Sequence, residues 1–461
     1  MRPNLTDFAI HNQFQQGIKQ FQQYDPHLKR ISKLPFSYLS PLAEEASLKK
    51  PGIYLITGGR QVGKTTFLKQ YILKLVKQEA TSPENILFLA GELIDSYHGL
   101  QGVIEGFHNP DELQYLFIDE INYIPDWDKA IKYLADTGFF DNTVVILTGS
   151  DSLILRTAMK RFAGRRGKEG KVDFGFPPIS FGEFVSLKRP KLSSFCSEIK
   201  STPLTKQLNV YSNHHEELLN LLKQYLIHGG YLPAIADYWQ EKTIAAGTLR
   251  TYIDWIVGDM LKFNKSEQRV FEILKGILAT YSTQISWHSL LKRLSIEHHK
   301  TVSDYCHLLQ NIHAIHILEA LDENKLIASP KKNKKIYFQD PFIFHASNGF
   351  IDGDLSFEKI TKTLQSPDNC AKLIETVVVD HCKRVAPTFY IKGPKGEVDV
   401  AMVKNNCFTP IEIKWTGQLR EGELKQIRSY KSGIILWNKP EQETRGMNLI
   451  IPLPRFLLSI S

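Results

Sequence analysis

A chain of 461 residues is too long for one hydrophobic core, and roughly three domains are expected. Its 42% hydrophobic and 23% charged residues exclude a disordered or fibrous chain, and a formal charge of +8 permits a nucleic-acid partner without demanding one. Cys196, Cys306, Cys370, Cys382 and Cys407 are odd in number and hold no C-x-x-C pair, which argues against a disulfide framework or zinc module. A signal-peptide pattern is lacking, as is any apolar run of membrane-spanning length, so the expectation is a cytoplasmic protein with no membrane contact.

Residues 1–50 are polar and glutamine-rich and read as an arm docked on the domain that follows. An apolar run at 52–56 reads as a buried strand and 67–76 as a helix, with Gly58-Gly59-Arg60-Gln61-Val62-Gly63-Lys64-Thr65-Thr66 between them. Strand, loop and helix are the context that the G-x-x-x-x-G-K-[ST] pattern requires. The glycines let the backbone curl so that successive N–H groups meet phosphate oxygens at the positive end of a helix. All nine residues are candidates for nucleotide binding, with Lys64 reaching the β- and γ-phosphates and Thr65 holding Mg²⁺.

Further strands are expected at 85–90, 115–119 and 143–148, and a helix at 127–135. This alternation argues for a parallel, doubly wound sheet with its site at the carboxyl ends of the strands. Asp119 ends the third strand and completes the Mg²⁺ shell, while Glu120 orients and polarises the attacking water. Ser150, with Thr148 as its competitor, ends the next strand and is a candidate sensor of that water. Arg161, Arg165 and Arg166 lie downstream; Arg165 is the choice for a finger acting in cis or on a neighbouring subunit, against a plain solvated face.

The run Gly59 to Thr66, Ile118-Asp119-Glu120-Ile121-Asn122 with Trp127 after it, Leu147-Thr148-Gly149-Ser150 and Ala163-Gly164-Arg165 resemble one prokaryotic branch of the AAA+ ATPases. Its ordering recurs in Tyr225 to Pro233, with Gly229-Gly230 at the centre, and in Arg250 to Asp254. The resemblance covers nearly the whole chain. It implies an AAA+ fold, ATP hydrolysis with ATP and Mg²⁺, and an oligomeric state left open.

Residues 191–265 are mostly helical in pattern and read as a lid or linker. From 285 to 318 the pattern is helix, turn and helix, followed by a hairpin at 326–338 whose tip would carry Lys331, Lys332, Lys334 and Lys335. This resembles a winged helix, with His299, Lys300, Ser303 and the lysine run as candidates for DNA contact and a protein-binding use as the alternative.

The last segment carries Glu397, Asp399, the turn Asn405-Asn406, and Glu412-Ile413-Lys414. Counting outward from a two-residue turn sets Asp399 opposite Glu412 as a non-hydrogen-bonded pair, whose side chains come close. Facing carboxylates repel unless a cation lies between them, and oxygen ligands suit Mg²⁺ or Mn²⁺. Lys414 shares their face, Glu375 on an upstream helix can join the ion, and Gln426 with Tyr430 forms a Q-x-x-x-Y pattern on a further helix. Together these resemble the PD-(D/E)xK nucleases, except that Glu397-Val398 precede Asp399 where the family has Pro-Asp. The resemblance implies catalytic Glu375, Asp399, Glu412 and Lys414, with Asp399 and Glu412 as metal ligands.

The expected organisation is an arm (1–50), a P-loop AAA+ ATPase (51–190), a helical lid or linker (191–265), a winged helix (266–340) and a small α/β nuclease-like domain (341–461). The expected activity is ATP hydrolysis coupled to DNA binding and metal-dependent cleavage. The rivals are an ATP-driven switch with an inert nuclease-like scaffold and a motor or loader that moves on DNA without cutting.

Overall fold

The computed structural model describes residues 5–150, 152–207, 212–415 and 419–461. The chain divides into two compact units, 1–177 and 178–461.

The first unit is built on strands β1 (Gly52–Thr57), β2 (Ile86–Ala90), β3 (Gln114–Asp119), β4 (Thr143–Gly149) and β5 (Asp173–Gly175). They form a parallel sheet in the order β2-β3-β4-β1-β5. Ile53, Leu55, Leu116, Ile118, Val145 and Leu147 are fully buried, as expected of strands covered on both faces. Two short helices, α1 (Ile18–Tyr24) and α2 (Pro26–Ile31), lie in the arm; α3 (Lys64–Gln78), α4 (Tyr97–Phe107), α5 (Trp127–Asp136) and α6 (Ser152–Met159) follow the strands. The arm closes the free edge of β2 without adding a strand. The Asn12 side chain donates to Phe88 O (2.9 Å) and accepts from Phe88 N–H (2.8 Å), and Gln15 Nε2 donates to Ile86 O (3.1 Å). An amide side chain thus supplies the two bonds that a neighbouring strand would make.

The second unit begins with helices α7 (Phe181–Lys188), α8 (Ser193–Ser201), α9 (His215–His228), α10 (Leu232–Glu241) and α11 (Ala246–Lys262). Ser180 and Glu183 start α7 with a reciprocal capping box. Then come α12 (Glu267–Ala279), α13 (Trp287–Leu291), α14 (His299–Asn311) and the hairpin of β6 (Ile315–Glu319) and β9 (Lys334–Phe338); its extension holds β7 (Leu321–Asp322) and β8 (Ile327–Ala328). The tip of that extension is 323–326, so the lysine run is not the tip: Lys331 and Lys332 are exposed in a turn, whereas Lys334 and Lys335 are buried in β9. Alternation along a strand splits adjacent side chains between its faces, and here both faces are covered.

Helices α15 (Pro341–Asp352), α16 (Phe357–Leu364) and α17 (Pro367–Val385) lead to a mixed six-stranded sheet. Its strands are β10 (Thr388–Gly393), β11 (Gly396–Lys404), β12 (Cys407–Ile413), β13 (Gly433–Trp437), β14 (Glu443–Arg445) and β15 (Asn448–Pro452), in the order β10-β11-β12-β13-β15-β14. The closing helix α18 (Leu453–Ser459) packs on α7, α8 and α9, and the Ser461 hydroxyl accepts from Gly182 N–H (3.1 Å). The helices expected to form a separate linker therefore share one compact unit with the C-terminal sheet.

Gly229 and Gly230 have a steric role there. Asp340, which caps α15, accepts from Gly230 N–H (2.8 Å), and a Cβ on Gly229 (φ +57°) would sit 1.6 Å from its carboxylate.

Candidate functional site

The P-loop leaves the carboxyl end of β1. Gln61 (φ 59°) and Gly63 (φ 101°) take left-handed conformations, of the kind that gather successive N–H groups into an anion-binding concavity. A Cβ on Gly58 would meet Phe176 O at 2.1 Å, so only glycine fits where the strand ends. Lys64, the first residue of α3, is buried, with Nζ donating to Gly58 O (3.0 Å) and Gly59 O (2.9 Å) and lying 3.4 Å from Glu120 Oε1. Thr65 Oγ1 donates to Asp119 Oδ2 (2.6 Å), and Thr148 Oγ1 donates to Asp119 Oδ1 (2.5 Å) while accepting from Glu120 N–H (3.0 Å). Ser150 donates through both N–H and Oγ to Glu120 Oε2, each at 3.3 Å.

The two carboxylates thereby take different hydroxyl partners. Thr148 bonds Asp119 and Ser150 bonds Glu120, so both sequence candidates reach a carboxylate. Glu120 stands at φ 49° and ψ 50°, a left-handed position that costs a non-glycine residue on the order of 1 kcal/mol. Gly91 leaves room for it, since a Cβ there would meet Glu120 O at 2.5 Å. Arg60 donates to Tyr123 OH (2.7 Å), Val62 is buried, and Thr66 Oγ1 lies 3.4 Å from His27 Nδ1 of the arm. Two hard oxygens 2.6 Å apart, on Thr65 and Asp119, and a lysine at a glycine loop on a helix N-terminus fit Mg²⁺ and phosphates.

The second constellation lies in the C-terminal sheet. Asn405 (φ 52°) and Asn406 (φ 60°) make the left-handed two-residue turn, and β11 pairs with β12 in the register Val400↔Ile411 and Ala401↔Pro410. Continuing that register sets Asp399 opposite Glu412. Asp399 Oδ2 accepts from Ile413 N–H (2.8 Å), and Glu412 Oε1 lies 3.0 Å from Lys414 Nζ. Glu412 Oε2 is buried without a hydrogen-bond partner.

Glu375, on α17, faces the same cluster, but its partner comes from β9. Lys335 Nζ lies 2.5 Å from Glu375 Oε1, 2.7 Å from Glu397 Oε1 and 3.9 Å from Asp399 Oδ1, and Tyr337 OH donates to Glu375 Oε1 (2.5 Å). Burial alone would lower the Lys335 pKa, but Glu375 and its acidic neighbours outweigh it and hold the ammonium charged. Burial, reinforced by Asp399, raises Glu412 well above the usual carboxylate range; burial also raises Glu375. Among the described residues, no three His, Cys, Asp or Glu side chains are arranged to share a metal ion. The oxygen donors suit Mg²⁺ or Mn²⁺ in kind, but their arrangement around Lys335 does not fit the expected metal site.

Residues 50–185 match the family model described as an AAA domain, and 219–353 match a second, described as a domain of unknown function (DUF8612). The first unit has the AAA+ fold. An uncharacterized protein of Methanocaldococcus jannaschii is 24% identical over 404 residues, 83% of this chain and 78% of that one. An uncharacterized protein of Haemophilus influenzae is 31% identical over 142 residues, 30% of this chain and 34% of that one. Among solved structures, the Walker-type ATPase of Pyrococcus abyssi is 14% identical with a TM-score of 0.41, over 67% of this chain and 94% of that one. The Aeropyrum pernix ORC1 protein in complex with DNA is 14% identical with a TM-score of 0.32, over 68% of this chain and 90% of that one. Scores this low leave the AAA+ assignment to the strand order and the family model.

Within the AAA+ domain Arg165 stands away from Lys64. Arg166 O accepts from Ile53 N–H at the amino end of β1, so the six residues of β1, roughly 20 Å, separate Arg165 from the P-loop. Arg165 pairs with Asp136, Arg161 with Asp128 (2.5 Å) and Arg166 with Asp173 (2.8 Å). A finger acting in cis is excluded by that separation.

In the second unit His299 and Lys300 are exposed at the start of α14 and Ser303 is half-buried. Gln426 Nε2 donates to Tyr430 OH (2.9 Å) as the pattern suggests, but the two residues flank a short 3₁₀ turn (Ile427–Ser429) and do not lie on an α-helix. Gln426 is tied to the sheet instead, accepting from Lys395 N–H (2.9 Å). Sequence reasoning missed Lys335 and Tyr337 as members of the carboxylate cluster, and set Glu397 on the face of Asp399 without counting it among the site residues. The available signal was the alternation of 334–338, which puts Lys335 and Tyr337 on one face.

Proposed function

We propose that the chain binds and hydrolyses ATP in its AAA+ domain and uses that cycle to act on DNA through its second unit. The observation that carries the reading is the pairing of Thr65 and Thr148 with Asp119 and of Ser150 with Glu120. Asp119 is held beside the P-loop threonine, which suits a metal-bound phosphate, and Glu120 is held next to Lys64, which suits a group that orients water. Mg²⁺ on Thr65 and Asp119 would draw charge from the phosphate oxygens. The DNA partner is supported by the helix order α12-α13-α14 with the following hairpin, which suits a winged helix. Exposed Lys292, Arg293, His299 and Lys300 give that region a basic surface. In a homo-oligomer Arg165 would be available to a neighbouring copy's phosphates.

No cleavage step is assigned to Asp399, Glu412 and Lys414, because Lys335 stands among the carboxylates. That observation favours a second reading, an ATP-driven switch whose C-terminal sheet is a scaffold.

The deciding measurement is ATP binding and turnover, with and without duplex DNA. Lys64→Ala is expected to lose ATP binding, and Glu120→Gln to bind ATP while turnover falls by about 100-fold. Equal turnover in Glu120→Gln and wild type would remove Glu120 from its role. Turnover indifferent to DNA at low salt would favour the switch.

A further inference from the structure

We propose that the Lys335 ammonium is the resident cation of the C-terminal carboxylate cluster and excludes a divalent ion from Asp399 and Glu412. The proposal rests on reading those carboxylates as an oxygen site for a divalent cation.

Four carboxylates meet here, from Glu375, Glu397, Asp399 and Glu412, against two ammoniums, Lys335 and Lys414. Lysine is almost never fully buried unless paired, and the Lys335 side chain is 4% exposed. Its ammonium donates to Glu375 and Glu397 and lies 3.9 Å from Asp399, among carboxylates as a bound cation would be. The cluster nevertheless remains short of positive partners. Glu412 is 5% exposed, and its Oε2 finds no donor. An unpartnered buried carboxylate oxygen beside Asp399 is an attachment point for a further cation.

The lock is delivered by one module. Lys335 and Tyr337, two residues apart on β9, share a face and both reach Glu375 Oε1. Lys334, just before them, turns to the other face, over the Trp287 ring (5.3 Å). Gln284, just ahead of the Ile285–Lys334 bridge, donates to Glu397. One buried strand therefore presents the ammonium and the phenol together to Glu375.

The test is Mn²⁺ binding by titration calorimetry and melting of the full chain, in wild type, Lys335→Met and Lys335→Gln, each with and without Glu412→Gln. The expected result is Mn²⁺ affinity at least about tenfold higher in the Lys335 variants, abolished by Glu412→Gln. About 1 mM Mn²⁺ should raise the melting temperature of Lys335→Met by about 5 °C and leave wild type nearly unchanged. Equal, Glu412-dependent binding in wild type and Lys335→Met would overturn the lock and leave the cation site standing. Absence of Glu412-dependent binding in every folded variant would overturn the cation site itself. Should neither Lys335 variant fold without metal, folding restored by Mn²⁺ supports the proposal and failure to restore it refutes it.

Discussion

His381 has no room for a second proton. Its Nε2 accepts from Phe181 N–H (2.9 Å) while Nδ1 donates to Val377 O (2.8 Å), so protonation would set two donors against each other. Burial pushes its pKa down to about 3, and does the same to His228, to about 3, and His345, to about 4. In the unfolded chain these groups titrate near 6.5. Between that value and about 3 the folded unit binds fewer protons than the unfolded chain. Its stability is complete above 6.5 and is lost as the pH falls through the window. At pH 5 each histidine should cost about 2 kcal/mol relative to pH 7. Urea unfolding followed by tryptophan fluorescence checks this: the midpoint should fall between pH 7 and 5, and less steeply in His381→Gln. A flat profile would count against the buried neutral histidines. The same scale shows why the lysine run was misread. As a string it looks like a solvated turn, but Lys334 and Lys335 are consecutive strand residues and burial decides their partners.

The β2 edge shows what an element gains from a single side chain. An exposed parallel edge strand invites pairing with another chain, and Asn12 blocks it by bonding both polar groups of Phe88. Asn12→Ala leaves a buried N–H and C=O without partners and should cost about 2 kcal/mol or more. Urea unfolding measures the loss, and faster hydrogen exchange at the Phe88 amide locates it; an unchanged exchange rate there would argue that water replaces the side chain. The β11–β12 hairpin stands at the opposite extreme of legibility. Two asparagines that tolerate positive φ fix the turn, and period-two pairing then carries Asp399 to Glu412 without help from elsewhere. The Gln426–Tyr430 contact was readable as a spacing but not as a helix. A single 3₁₀ turn between them brings the same side chains together, and Gln426 packs so close to Gly393 that a Cβ there would lie 2.2 Å from its Nε2.

For the molecule as a whole, the first unit holds its own core, with Leu55, Leu89, Ile118, Leu147 and Trp127 in one buried cluster. The residues around Lys64 also all come from within 1–177. A chain ending at Pro177 is therefore expected to fold and to bind ATP with Mg²⁺ within about threefold of the full-length affinity. Nucleotide titration of both proteins checks this, and a loss of affinity in the shorter, folded chain would mean that the second unit supplies part of the site. The second unit is less divisible than its motifs suggest. Its first helix, α7, and its last, α18, pack together, so the helical, hairpin and sheet segments close into one body.

What the sequence determined by itself is the set of features whose causes are local. The P-loop, Asp119 with Glu120 at a strand end, and the Asn405-Asn406 register follow from backbone stereochemistry and the period of a strand, within stretches short enough to read. Only the tertiary structure decided that Lys335 meets Glu375 and Glu397, that Arg165 stands a strand's length from Lys64, and that Thr148 and Ser150 each serve one carboxylate. These contacts join residues tens of positions apart, and they are selected by burial. A charge removed from water must find a partner, and no local spacing records which distant side chain packing will bring to it.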